Sequence, residues 1–106
     1  MSRLYISGPI TGTLNYKKIF QGAKDALLAK GYDVVNPAEL TEVIGGSFTY
    51  DEIMSIDLDL LNRCDALVQL PGWERSRGAN IEYGYAMGAG KPILSFDTLM
   101  EGSVRG

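Results

Sequence analysis

Four short apolar runs alternate with helix-forming stretches along the whole chain, and this alternation limits the fold more than any other feature. Arg3-Leu4-Tyr5-Ile6-Ser7 reads as a strand, closed by the turn Gly8-Pro9-Ile10-Thr11-Gly12. Asn15 is placed to cap a first helix whose apolar face is Tyr16, Ile19, Phe20, Ala23 and Leu27, with Gly31 at its end. Tyr32–Val35 reads as a second strand, stopped by Asn36-Pro37. Residues 38–49 read as a loop with a helical turn at 39–43 and a mobile Gly45-Gly46-Ser47. Thr49 caps a second helix that carries Asp51 and Glu52 in its first turn and runs to about Arg63. Asp65–Leu70 is the third strand. After the loop Pro71–Ser76, a third helix reaches Met87 or Gly88, and Pro92–Phe96 is the fourth strand. The tail from Asp97 to Gly106 is expected to be loose or to dock on a partner.

This order implies βαβ units, a parallel sheet and right-handed crossovers, hence an α/β fold. Such sheets hold ligands beyond the carboxyl ends of their strands. Three loops meet there, Ser7–Thr13, Asn36–Glu39 and Pro71–Gly78, and that edge is the expected site.

The 106 residues suit one domain, with no linker, repeat or low-complexity tract. A net charge of −3 argues against a nucleic-acid polymer as partner, because such partners select a basic stripe. Lys17, Lys18 and Lys24 read as a solvated helix face. No run of eighteen apolar residues is present to span a membrane. Met1–Ile6 lacks the apolar core of a secretory signal, and Cys64 has no second cysteine to pair with, so a cytoplasmic setting is expected. The chain has no histidine. That excludes the Ser-His-Asp triad, the Cys-His pair and HExxH zinc chemistry, and no metal or cofactor is expected.

Two carboxylates stand out. In the second helix, Ile53, Ile56, Leu60, Leu61 and Cys64 share an arc, and Asp57 falls near its middle. Asp57 therefore either caps a neighbouring loop, pairs with an arginine or has a chemical role. Asp59, on the opposite side, reads as solvated. The third helix is apolar around nearly its whole circumference and is expected to be buried on most sides, with Glu82 and Asn80 as its strongly polar side chains. Glu82 is either a surface glutamate at a gap in packing or a functional group that the helix dipole keeps ionised. Two such carboxylates beside one groove suit glycosyl chemistry, which needs neither histidine nor metal. The Gly8–Gly12 loop is either a phosphate cradle or a tight turn. Trp73 either stacks on a base or covers the core.

In Leu4–Gly12, Val35-Asn36-Pro37, Asp57 with Cys64-Asp65, and Gly72–Ala79 with Glu82, the chain resembles the nucleoside 2-deoxyribosyltransferase-like superfamily. That group includes 2'-deoxynucleoside 5'-monophosphate N-glycosidases and small phage and bacterial proteins. The resemblance extends from residue 4 to about 94. It implies a Rossmann-like (flavodoxin-like) three-layer sandwich, with a four-stranded parallel sheet between helices. It also implies a role for each matching residue: Glu82 as the nucleophile at C1', Asp57 as acid/base or orienting group, and Tyr5 as a strand tyrosine at the active site. Ser76, Gly78 and Ala79 lie in the loop that meets the 5' phosphate. Ser7, Gly8, Pro9, Ile10 and Gly12 lie beside that phosphate and the base, and Asn36 and Trp73 are further substrate-binding positions. Arg75 and Arg77 add cations that favour a phosphorylated ligand.

The activity implied is cleavage or exchange of the N-glycosidic bond of a (deoxy)nucleoside 5'-monophosphate in a homodimer or higher homo-oligomer. Nothing after Phe96 corresponds to the C-terminal asparagine that a neighbouring subunit supplies in typical transferases. That gap grounds a second expectation, a non-catalytic module that sequesters a nucleotide-derived signal, such as an immune messenger bound by a phage protein.

Overall fold

The computed structural model describes residues 2–104, the last three by backbone alone. Strands β1 (Arg3–Ser7), β2 (Asp33–Val35), β3 (Ala66–Gln69) and β4 (Ile93–Ser95) form one parallel sheet in the order β2-β1-β3-β4. Helices α1 (Tyr16–Ala29), α2 (Pro37–Ile44), α3 (Tyr50–Asn62), α4 (Arg77–Gly88) and α5 (Phe96–Val104) cover both faces. No helix among the described residues is long and apolar enough to cross a membrane.

Successive strand side chains point to opposite faces, so an apolar run buried on both sides feeds two cores. Leu4, Ile6, Ala66 and Val68 pack with Phe20, Ala23 and Leu27 of α1 and Ala38 of α2. Tyr5 and Leu67 point the other way, onto Leu61, Cys64 and Ala86 under α3 and α4. The chain leaves β1 for β2 on one side and then crosses to β3 on the other. The order of connection thus reverses between β1 and β3, which opens a crevice at their carboxyl ends.

Local chemistry starts the helices over the second face. Thr49 Oγ1 accepts from Glu52 N at 3.1 Å while Thr49 N donates to Glu52 Oε1 at 2.8 Å, a complete capping box for α3. Ser76 Oγ accepts from Ala79 N at 3.2 Å and caps α4.

Several sequence-based expectations need correction. Asn15 does not cap α1 through its side chain: it sits at φ 64°, and a side-chain cap requires extended backbone there. Residues 37–44 form a full helix where a loop with one turn is expected. Asn36 Oδ1 accepts from Ala38 N at 3.0 Å, Pro37 occupies the first turn, and Lys24–Glu39 and Lys17–Glu42 ion pairs at 2.6 and 3.4 Å tie α2 to α1. Two of the three lysines read as a solvated face therefore bridge helices. The tail from Asp97 is α5, docked through Phe96, Leu99 and Met100 on the α1 side of the core; residues 105 and 106 lie outside the described residues. Finally, α4 is not buried on most sides. Ala79, Glu82 and Ala86 form its buried stripe, and Met87 is 59% exposed.

Candidate active site

Tyr5 and Ser7 are two residues apart on β1 and so share the face beneath α3 and α4. Glu82 follows Ala79 by three residues and precedes Ala86 by four, which puts it on the buried stripe of α4. The helix thereby sets its carboxylate against β1. Tyr5 Oη donates to Glu82 Oε2 at 2.5 Å and Ser7 Oγ donates to Glu82 Oε1 at 2.6 Å. Both carboxylate oxygens are held, and Glu82 is 5% exposed.

Burial raises the Glu82 pKa above the usual carboxylate range, and the Ser7 and Tyr5 hydrogen bonds oppose that rise. Desolvation outweighs both bonds. Glu82 is thus less readily ionised than its place in the helix dipole suggests, which corrects the sequence-based expectation. Burial, reinforced by the Glu82 and Asp57 charges, also keeps the Tyr5 phenol well above its ordinary value, so it stays a donor.

Asp57 lies on the buried side of α3, 6% exposed, with Oδ1 lacking any hydrogen-bond partner. Burial first, and the Glu82 charge second, push its pKa to about 7. Asp57 therefore neither caps a loop nor pairs with an arginine. It is a carboxyl group that can hold or release a proton near neutrality. Asp59 on the outer face forms an exposed pair with Arg63 at 3.4 Å, as a solvated residue does.

Asp57 and Glu82 line one chamber of about 160 Å³ with Gly8, Ile10, Thr11, Ser76, Gly78 and Ala79. Thr41, Tyr50, Ile53 and Met54 complete it. A Cβ at Gly78 would lie 3.2 Å from both Met54 Cε and Tyr50 Oη, so a side chain there would press on the free ends of two residues that line the chamber. Of the residues singled out from sequence, Tyr5 and Ser7 hold Glu82 from beneath, and Gly8, Ile10, Asp57, Ser76, Gly78, Ala79 and Glu82 line the chamber. Pro9, Gly12 and Arg75 line an adjacent cavity of about 410 Å³ that shares Thr11 and Ser76 with it. Asn36 and Trp73 lie outside the chamber. Asn36 caps α2, and Trp73 packs on Tyr83 with ring centroids 5.0 Å apart.

Sequence reasoning did not single out Thr11, Thr41, Tyr50, Ile53 and Met54 as site residues, although Thr11 lies within the Gly8–Gly12 loop that it did mark. Ile53 and Met54 stand four and three residues before Asp57, so helical spacing carried a signal for them. Thr41 had none once its segment was read as loop. Cys64 is buried at the end of α3, and burial pushes its thiol up to about 11, so it is an unreactive part of the core. Among the described residues, no group of three His, Cys, Asp or Glu side chains could hold a metal ion.

Residues 2–95 match the family described as Domain of unknown function (DUF4406). The chain belongs to this family. No curated protein matches it. Among solved structures it is similar to 2-desoxiribosyltransferase from Leishmania mexicana, with 22% identity and a TM-score of 0.67 over 90% of this chain and 63% of the other. The chain thus spans less than two thirds of that protein's length. At this identity the likeness establishes the fold, a Rossmann-like α/β sandwich shared with that protein, which is the fold that the sequence resemblance implies.

Proposed function

We propose that the chain cleaves or exchanges the N-glycosidic bond of a (deoxy)nucleoside 5'-phosphate through Glu82. One observation carries this reading: a buried carboxylate held through both oxygens faces the same chamber as Asp57, which is unpartnered and titrates near neutrality. A Glu82 oxygen bonds to C1' as the bond from C1' to the base nitrogen breaks. The bonding pair leaves on the nitrogen, which takes a proton from Asp57. Water, or a second base, then attacks C1' and releases Glu82 while the Asp57 carboxylate receives the proton. Tyr5 and Ser7 orient the nucleophile, and Ser76 with Arg75 and Arg77 meets the phosphate at the start of α4.

The test is release of free base from each deoxynucleoside 5'-monophosphate, read by chromatography against a Glu82→Gln control. Base release by the wild type alone, with a glycosyl adduct on the Glu82 peptide in mass spectra, is the expected result. No release above control from any base or with any acceptor sinks the reading. The Glu82 carboxylate, held through both oxygens and pushed up by burial, favours one other reading, a binder that sequesters a nucleotide-derived molecule. It predicts intact ligand after heat-denaturing a preformed complex.

A further inference from the structure

The Asp57–Glu82 chamber is small, about 160 Å³, against roughly 300–1,000 Å³ for a typical small-molecule site. Two larger cavities adjoin it. One, of about 420 Å³, is lined by Tyr50, Arg75, Arg77 and Gly78, and the other is the 410 Å³ cavity that reaches Ile19 of α1. Thr11 and Ser76 line all three, and Arg75 lines both outer ones. The three spaces therefore abut at Thr11 and Ser76, a neck between the loop after β1 and the loop after β3. That neck lies beyond the carboxyl ends of β1 and β3, between which strand order reverses; the chamber is bordered by α3 and α4, and the 410 Å³ cavity by Ile19 of α1. A crevice at such a reversal can take a ligand with one half on each face.

The charges agree with a bridging diphosphate. Neither outer cavity has a carboxylate in its lining. Arg75 and Arg77 have no salt-bridge partner among the described residues, while the Arg77 guanidinium lies 5.1 Å over the Tyr50 ring. Two cations flank the neck, enough to match the two charges of a pyrophosphate diester. A terminal monophosphate would use the neck and leave the α1-side cavity unfilled. At the inner end, the unpartnered Asp57 Oδ1, nine-tenths buried, marks where a ligand's polar atom belongs.

We infer that the ligand is a 5'-5' pyrophosphate-linked dinucleotide: one nucleoside in the Glu82 chamber, the pyrophosphate at Thr11–Ser76 between Arg75 and Arg77, and the second nucleoside in the cavity beside Ile19. The inference rests on the proposed reading that the chamber receives a nucleoside. It sharpens that reading from a mononucleotide to a dinucleotide. Ile19, 48% exposed, is the residue through which the far half can be tested without touching the chamber.

The experiment is calorimetric titration of the wild type and of Ile19→Trp with adenosine 5'-monophosphate and with diadenosine 5'-5' pyrophosphate. The dinucleotide is expected to bind about tenfold or more tightly than the monophosphate, because its second half binds as a linked group. Ile19→Trp, which fills the far cavity, is expected to erase that advantage and leave monophosphate affinity unchanged. Equal affinity of the two probes for the wild type, or an advantage that survives in Ile19→Trp, overturns the inference. If Ile19→Trp also loses the monophosphate, Thr13→Phe is read by the same criteria. Base release is measured separately. A tenfold preference without Glu82-dependent release overturns the glycosidic reading and leaves the dinucleotide inference standing. Release from the monophosphate with no binding preference does the reverse.

Discussion

At the residue scale, the site depends on how burial and hydrogen bonding divide protons among three groups. Tyr5 and Ser7 hold Glu82 and draw its pKa down against the stronger upward push of burial. Tyr5→Phe removes one of these bonds. Its acid limb of kcat/KM is expected to move to higher pH, and kcat to fall about 10- to 100-fold, in a pH–rate series for base release. Asp57 has a stability consequence of its own. Its pKa rises from an ordinary 3.8 to about 7 in the fold, so between those values the native state keeps a proton that the unfolded chain has released. Stability from this group is complete below about pH 4, is lost as pH rises through 7, and is flat above. The loss is at most ~4 kcal/mol, about 1.4 kcal/mol per unit. Asp57→Asn cannot ionise, so urea denaturation should show it gaining on the wild type from pH 5 to pH 8. An unchanged difference across that range would show that Asp57 titrates normally.

At the scale of elements, α4 and the loop before it do most of the positioning. Ser76 caps α4 and sits at the neck of the cavities, so Ser76→Ala should cost about 1 kcal/mol in chemical denaturation and weaken phosphorylated ligands more than nucleosides. At the end of β1, a Cβ on Gly8 would lie 2.9 Å from Leu70 Cβ, part of the neighbouring strand's core. Gly8→Ala should therefore destabilise by about 1–3 kcal/mol, because one of the two strand ends must move. The docking of α5 is tested by Leu99→Ala, expected to cost about 1–2 kcal/mol, less than for a fully buried leucine. An unchanged urea midpoint for Leu99→Ala would mean that α5 contributes no packing.

At the scale of the whole molecule, α4 presents an unfinished surface. Its sequence is apolar nearly all round, yet in one chain Met87 is 59% exposed and Tyr83 and Tyr85 are half-buried. We propose that a second copy covers this side, and light scattering on a sizing column should give the mass of a dimer. A single-chain mass at all concentrations would mean that water covers it. How much could be read in advance follows from where each signal resides. The four strands, α1, α3 and α4 were legible because their signals are local: short apolar runs, the apolar face of α1, the Thr49 cap of α3, and the terminal glycines Gly31 and Gly90. The helix α2 was hidden because the Gly45-Gly46 run beside it suggested loop, while its support is non-local: ion pairs to α1 and the burial of Ala38. The helix α5 was hidden because Phe96, Leu99 and Met100 have helical spacing but gain their packing only on a core built from residues distant in sequence, in β1, α1, α2 and β3.

Of the candidate site, the identities of Glu82, Asp57, Tyr5 and Ser7 were available from composition, the helical wheel and the resemblance. The sequence by itself determined a parallel α/β sandwich, one carboxylate, Asp57, in the middle of an apolar helix arc, and a loop cluster at the carboxyl edge, since strand and helix periods are properties of the chain; the inward face of Glu82 came only with the structure. Only the tertiary structure decided that Tyr5 and Ser7 each take one oxygen of Glu82, that Asp57 Oδ1 has no partner and burial pushes the group up to about 7, and that three cavities share Thr11 and Ser76 in their linings. Those outcomes depend on distances between residues up to 77 positions apart in sequence, and on how much water each group has lost. No local pattern encodes either quantity.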